Sequence, residues 1–277
     1  MTSRADSGDA HPVSQAPARA PKAPRAAGNP FGVFEAAFGI VVGFLLSALA
    51  LSAYEAATPH HATTIGKDIV GFAGLWLGFA GAAVAASWLN KPTGALGTGE
   101  EASLPTGTGS VVRDYGVRLR SWPDIPIGIG VGVASQLGLI PLLELPLEPF
   151  VRNLNQQIGR PAQNLLGPVN GFSLAFLAVL ICVGSPVVEE LFFRGLLLRG
   201  LLGRLAPLGN RWGPSLAIVL TGLVFGLVHF ERLQFLGLAG FGMVLAYLAY
   251  RTGRLGPSIV AHIAFNSTTV VYFVLTH

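Results

Sequence analysis

Five ionisable side chains, Glu189, Glu190, Arg194, His229 and His262, stand within the apolar carboxy-terminal part of a 277-residue chain. A charged group at bilayer depth costs about 2.5–3.5 kcal/mol on insertion scales, so such groups persist only where paired or where function needs them. Left uncompensated, the Glu189–Glu190–Arg194 set would cost on the order of 8–10 kcal/mol, comparable to the stability of a whole domain. The spacing suggests the compensation. Glu190 and Arg194 are four residues apart, on one helix face, where a carboxylate and a guanidinium pair. Glu189 points about 100° away from Glu190 and is free to face a cavity. Pro186, three residues before Glu189, opens the backbone hydrogen-bond ladder and gives water a way in. His229 follows Phe225 by four residues, and His262 and Asn266 put an imidazole and an amide on one face, again four apart.

These residue types have two chemical uses, and the sequence leaves both open. Glu189, His229, His262 and Asn266 form a candidate ligand set for a divalent metal such as Zn2+, with Asn266 the weak member because amides are poor zinc ligands. The same groups can instead bind a water directly, without a metal. Under either use Glu189 is the natural general base. Arg194 would pair with Glu190 and fix the helix that presents Glu189. The chemistry expected is addition of water to an amide carbonyl, with a histidine, the asparagine or a metal stabilising the oxyanion.

Other intramembrane protease chemistries fail by absence. No aspartate follows Asp124, so a pair of catalytic aspartates is missing from the last four apolar runs. No His-Glu-x-x-His occurs, and Ser185 and Ser267 have neither a Gly-x-Ser-x-Gly elbow nor a lysine partner.

The elements that position these groups must be membrane helices. Hydrophobic residues make up 51% of the chain and charged ones only 12%, against roughly 25% charged in soluble domains; the mean hydropathy is +0.58. A soluble enzyme, a nucleic-acid-binding domain and a disulfide-stapled secreted module are excluded. Apolar runs at 31–54, 68–90, 124–146, 171–201, 213–230, 234–251 and 255–275 each reach the length needed to cross a hydrocarbon core of about 30 Å. The expected fold is therefore all-α, a polytopic membrane bundle of about seven transmembrane helices, or eight if Gly184-Ser185-Pro186 splits the 171–201 run. With the amino terminus in the cytoplasm and that run counted as one crossing, 13 basic residues fall inside and four outside. Splitting the run removes the asymmetry that fixes orientation, so seven crossings are preferred.

The domain plan follows. Residues 1–29 read as a disordered basic cytoplasmic tail, with no apolar core placed to make a removable signal peptide. Residues 30–146 hold the amino-terminal membrane helices, with a polar, disordered loop at 91–122. Residues 147–170 form an outer loop or interfacial helix, and 171–277 the site-bearing core. Arginine outnumbers lysine 15 to 3, a bias that suits a GC-rich bacterial genome, so a bacterial plasma membrane is the expected location. The partners expected are membrane lipid and a membrane-associated protein or peptide, not nucleic acid. The single cysteine, Cys182, reads as packing.

Glu189-Glu190-x-x-x-Arg194, Phe225-x-x-x-His229 and His262-x-x-x-Asn266, in this order, resemble the CPBP family of intramembrane proteases, which includes the type II CAAX prenyl endopeptidases and the bacterial Abi or bacteriocin-immunity-like proteins. The likeness covers roughly 171–275 and extends to Phe193-Arg194-Gly195 and Gly253. It implies an all-helical bundle in which Glu189 activates the hydrolytic water, Glu190 and Arg194 support it, and His229, His262 and Asn266 complete the site. A non-catalytic immunity factor or scaffold, keeping the polar cluster for packing or partner binding, is the competing reading. A proton-coupled transporter would use similar carboxylates, but the sequence has no repeat symmetry to go with it.

Overall fold

The computed structural model describes residues 32–89, 109–119, 122–167 and 169–276. The tail at 1–29 and residues 91–108 of the polar loop lie outside them. Among the described residues the chain is helical and contains no strand. We label the helices α1 (Val33–Ala57), α2 (Thr64–Leu89), the short α3 (Val111–Asp114), α4 (Asp124–Leu147), α5 (Leu154–Leu166), α6 (Gly171–Arg204), α7 (Gly209–Leu227), α8 (Phe235–Thr252) and α9 (Gly256–Thr276).

Six of these, α1, α2, α4, α6, α8 and α9, are long and apolar enough to cross a membrane. The seventh expected run is the 19-residue α7, whose first turn carries Asn210 and Arg211. The 171–201 run is not split. Residues Gly171–Arg204 form one continuous 34-residue helix, which includes wide π-type turns at Leu180–Gly184 and Leu191–Leu197. Pro186 sits in the first turn after the first π segment. There its missing N–H is accommodated by a change of register rather than by a break.

Small residues set how closely the helices approach, as expected where lipid supplies no hydrophobic drive between them. In the α1–α2 hairpin Gly43 and Gly78 meet backbone to backbone, and a β-carbon on Gly78 would overlap Gly43. Gly222 and Gly226 of α7 lie against Ala239, Gly242 and Met243 of α8, and Gly132 of α4 lies against Ala261 and Ala264 of α9. Aromatic packing joins the halves: Phe79 of α2 stacks on Phe192 of α6 at 4.2 Å between centroids, and Phe193 meets Phe225 of α7 edge-on at 5.2 Å.

Two expectations need correction or completion. The reading of 91–122 as disordered fails for 109–119, which carries α3 and a buried Tyr115. The Tyr115 hydroxyl donates to the Ala83 carbonyl at 2.8 Å, its carbonyl and that of Gly253 both accept from Arg199, and the Gly116 carbonyl accepts from Leu255 N–H. Burial pushes the Tyr115 phenol well above its ordinary range, so it stays a donor. A buried aromatic ring and backbone carbonyls held by Arg199 and Leu255 fix the segment, and composition averaged over the loop hid this. The segment 147–170 holds a helix, α5. Its polar face, Asn155, Gln156 and Arg160, contrasts with Leu154 and Leu166, which are buried. Gln234 ties α5 to the α7–α8 turn by donating to the Ile158 carbonyl at 2.8 Å.

Candidate functional site

The site is built on α6, between its two π segments, where Ser185–Glu190 returns to α-helical geometry. Glu190 is fully buried and its Oε1 is doubly engaged, by Arg194 Nη1 at 2.7 Å and by His262 Nδ1 at 3.0 Å. Arg194, also fully buried, donates through Nη2 to the Gly242 carbonyl of α8 at 3.0 Å. Its guanidinium lies over the Phe225 ring at 4.5 Å, and cation–π attraction adds to the ion pair there. This one network therefore ties α6 to α8 and α9. It supplies the compensation that the charge count demanded, with α8 contributing a backbone carbonyl and α7 an aromatic face.

Glu189 is placed differently. Its Oε1 accepts from the Ser185 hydroxyl at 2.8 Å, while its Oε2 is buried and has no hydrogen-bond partner. That oxygen faces His262 Nε2 at 3.8 Å, beyond direct hydrogen bonding. The side chain retains 14% exposure, against 0% for Glu190. Each carboxylate has one engaged and one unpartnered oxygen; they differ in that Glu190 Oε1 carries two charged or ring donors with no exposure, whereas Glu189 is held by a hydroxyl alone and its side chain stays partly exposed.

His262 stands between them, with its ring edge-on to Phe225 at 5.6 Å and to Phe241 at 5.5 Å. Phe241 stacks in turn on Phe265 at 3.8 Å, so the imidazole cannot rotate freely. His229 lies just past the end of α7, its ring 4.6 Å from that of Phe225. Its Nδ1 is 2.6 Å from the Phe225 carbonyl. A carbonyl only accepts, so Nδ1 carries the proton and, in the neutral ring, Nε2 is left as an acceptor. The next residue, Phe230, holds a left-handed backbone (φ 56°) and contacts Phe44 of α1 edge-on at 5.2 Å. A bulky residue in that conformation marks local strain, which this contact helps to hold.

Asn266 has a structural partner. Its amide N–H donates to the Ile181 carbonyl at 2.9 Å. In the π register Ser185 N–H bonds five residues back, to Leu180, so the next residue, Pro186, would have donated to Ile181 and cannot. Asn266 thus satisfies the carbonyl that the proline orphans, and clamps α9 to α6 beside Glu189.

The structure therefore brings Glu189, Glu190, Arg194 and His262 into one cluster, with His229 against the Phe225 ring and Asn266 at the π turn. The four-membered metal set does not assemble. Among the described residues no three His, Cys, Asp or Glu side chains come together as a metal-binding group. The Asn266 amide N–H is anchored on Ile181, while His262 and His229 have only Nδ1 held, by Glu190 and by the Phe225 carbonyl, and keep Nε2 as an acceptor. The metalloprotease expectation therefore has no assembled ligand group behind it among the described residues. Sequence reasoning missed Ser185 as the partner of Glu189, although the two stand four apart on a helix. It also missed the Gly242 carbonyl and Phe241, which only tertiary packing brings to the site.

Residues 171–268 match the family model described as Type II CAAX prenyl endopeptidase Rce1-like. This segment is similar to the CAAX protease family. The matched segment runs from the first residue of α6 to the middle of α9 and contains all six candidate site residues. It is about a third of the chain, so α1, α2, α4 and α5 lie outside the CAAX protease match. No curated protein and no solved structure matches the chain.

Proposed function

We propose that the protein is an intramembrane endopeptidase in which Glu189 activates water to hydrolyse a peptide bond of a membrane-associated protein or peptide. The observation that carries this is the division of labour between adjacent carboxylates. Glu190 is paired with Arg194 and His262 and has no exposure, whereas Glu189 accepts from Ser185 alone, turns its other oxygen toward His262 and keeps a partly exposed side chain. A structural ion pair needs only the first. In the reaction, Glu189 Oε2 takes a proton from water as the water oxygen bonds to the carbonyl carbon. The proton then passes from Glu189 to the amide nitrogen, the C–N bond breaks, and a carboxylic acid and an amine leave, exchanging the remaining proton to become carboxylate and ammonium. His262, oriented by Glu190, and the acceptor Nε2 of His229 bind and orient the water.

The family description supports a prenylated CAAX-type peptide as the first substrate class to try. We place the chain in a bacterial plasma membrane on its arginine bias, with the amino terminus in the cytoplasm on the 13-to-4 distribution of basic residues.

The test compares amino termini and released peptides of membrane proteomes from cells carrying the wild type or Glu189→Gln at equal abundance. Fragments seen only with the wild type support proteolysis and identify the substrate. Identical profiles, with both proteins equally able to support growth or partner binding, overturn it in favour of a scaffold. On a purified substrate Glu189→Gln is expected to lower kcat by about 10²–10⁴-fold, the range for loss of a general base. Because no step uses a metal, activity is expected to survive dialysis against EDTA or 1,10-phenanthroline.

A further inference from the structure

Glu35 stands in the first turn of α1, outside the CAAX protease match, and its Oε2 is buried without a hydrogen-bond partner. The residue lines a cavity of about 250 Å³ between α1 and α2. Small residues leave the space: Gly39 and Gly78 are buried in its lining, and a β-carbon on Gly81 would meet nothing within 4 Å. Behind Gly39 lies the Phe192 ring of α6, 2.8 Å from where a β-carbon would stand. Phe38, Leu77 and Leu89 complete the walls and are 69%, 67% and 77% exposed, so the cavity opens sideways to whatever surrounds the helices. In a membrane that is lipid.

The polar groups at this end are arranged in a pair. Phe34 precedes Glu35, and its exposed ring carries the guanidinium of Arg204, the last residue of α6, at 4.4 Å. Trp88, Trp122 and Trp212, at the ends of α2, α4 and α7 on this same side, are all exposed, as is usual for indoles at headgroup level. Size excludes a helix as the occupant, because two turns about 10 Å across fill roughly 800 Å³. A single extended chain fits. The headgroup above it must satisfy a carboxylate oxygen. A quaternary choline has no N–H to give, and a glycerol headgroup brings a phosphate charge to Glu35 without a cation to offset it. A primary ammonium offers three donors and the opposite charge, and the phosphate that accompanies it suits an arginine.

We propose that α1 and α2 hold a phospholipid with a primary-amine headgroup, one acyl chain in the cavity, the ammonium on Glu35 Oε2 and the phosphate on Arg204. The site is separate from Glu189 and needs no proteolysis.

Native mass spectrometry of the full chain in detergent tests this, with palmitoyl-oleoyl phosphatidylethanolamine or its phosphatidylcholine counterpart titrated in. The two lipids share chains and phosphate and differ in N–H donors. The wild type is expected to bind its first phosphatidylethanolamine about tenfold more tightly, the low end for a hydrogen bond to a charged group. Glu35→Gln should cut that preference to about threefold or less, because the charge is lost. Arg204→Gln should weaken both lipids alike. Gly81→Leu fills the cavity from an open position and should also weaken both. Equal binding of the two lipids by the wild type overturns the proposal, and this comparison needs no substitution. A preference that survives in folded Glu35→Gln overturns it too, because the amine then sits elsewhere. Unchanged binding of both lipids by Gly81→Leu removes the acyl chain from the cavity and overturns it likewise. A dimer seen in place of lipid adducts, and lost in Gly81→Leu, assigns the groove to a second copy instead.

Discussion

Glu190 gives a single oxygen to two donors, Arg194 at 2.7 Å and His262 at 3.0 Å, inside a region with no exposure. Removing one member of such a buried pair leaves the other charge uncompensated, at a typical cost of about 3–5 kcal/mol. Arg194→Met should therefore lower the melting temperature sharply in detergent. The double variant Glu190→Leu with Arg194→Met should recover most of the stability, because apolar replacement of a buried pair is often neutral, yet it should remain inactive because His262 loses the group that orients it. A double variant as unstable as Arg194→Met alone would count against this account. Ser185→Ala tests the other carboxylate. It removes one hydrogen bond to Glu189 Oε1 and is expected to lower kcat by roughly tenfold with KM unchanged, since a bond to a charged group is worth about 1.5–3 kcal/mol. These residues were readable at different depths. Glu190–Arg194 and Ser185–Glu189 are both pairs four apart on one helix, and the sequence reading drew only the first. The Gly242 carbonyl carries no side-chain signal, so no inspection of residue types could have found it.

At the scale of the helix, α6 shows why an apparent break need not end an element. Gly184-Ser185-Pro186 looks like a split, and the span count hinged on it. The π turn at Leu180–Gly184 absorbs the proline, and Asn266 on α9 answers the carbonyl that is left over. Asn266→Leu should cost about 1–3 kcal/mol, the penalty for an unsatisfied buried carbonyl. Adding Pro186→Ala restores an N–H in register with Ile181 and should return most of that loss, so a double-mutant cycle in chemical unfolding will show coupling of opposite sign to the single effects. Strict additivity would sink the explanation. Pro186 and Asn266 were both visible in the sequence, but their relation was not, because it depends on a shift from four- to five-residue spacing that no periodicity in side chains reports. The α1–α2 contact was equally hidden: Gly39, Gly43, Gly74 and Gly78 are spaced by four on their helices, yet only the structure pairs Gly43 with Gly78.

Across the whole molecule, all-α architecture and membrane residence were legible from composition alone, whereas orientation rests on charge placement. With Cys182 replaced by alanine, single cysteines at Lys67 and Arg232 should react with an impermeant maleimide added to intact cells, and those at Arg211 and Arg251 only after the membrane is opened. The reverse pattern would invert the topology. The bundle is closed at one end by long-range ties: Arg254 forms a two-pronged ion pair with Asp124 at the start of α4, and Tyr115 and Gly116 are held by Arg199 and Leu255. These ties have a consequence for biosynthesis. The 109–119 segment leaves the ribosome well before Arg199, and before Leu255 by a larger margin still, so its carbonyls have no partners while α4 and α6 are entering the bilayer. Docking of this segment waits for the α8–α9 turn, which makes it the closing step of assembly. A nascent chain halted before residue 253 should expose the segment to added protease, and the finished protein should shield it.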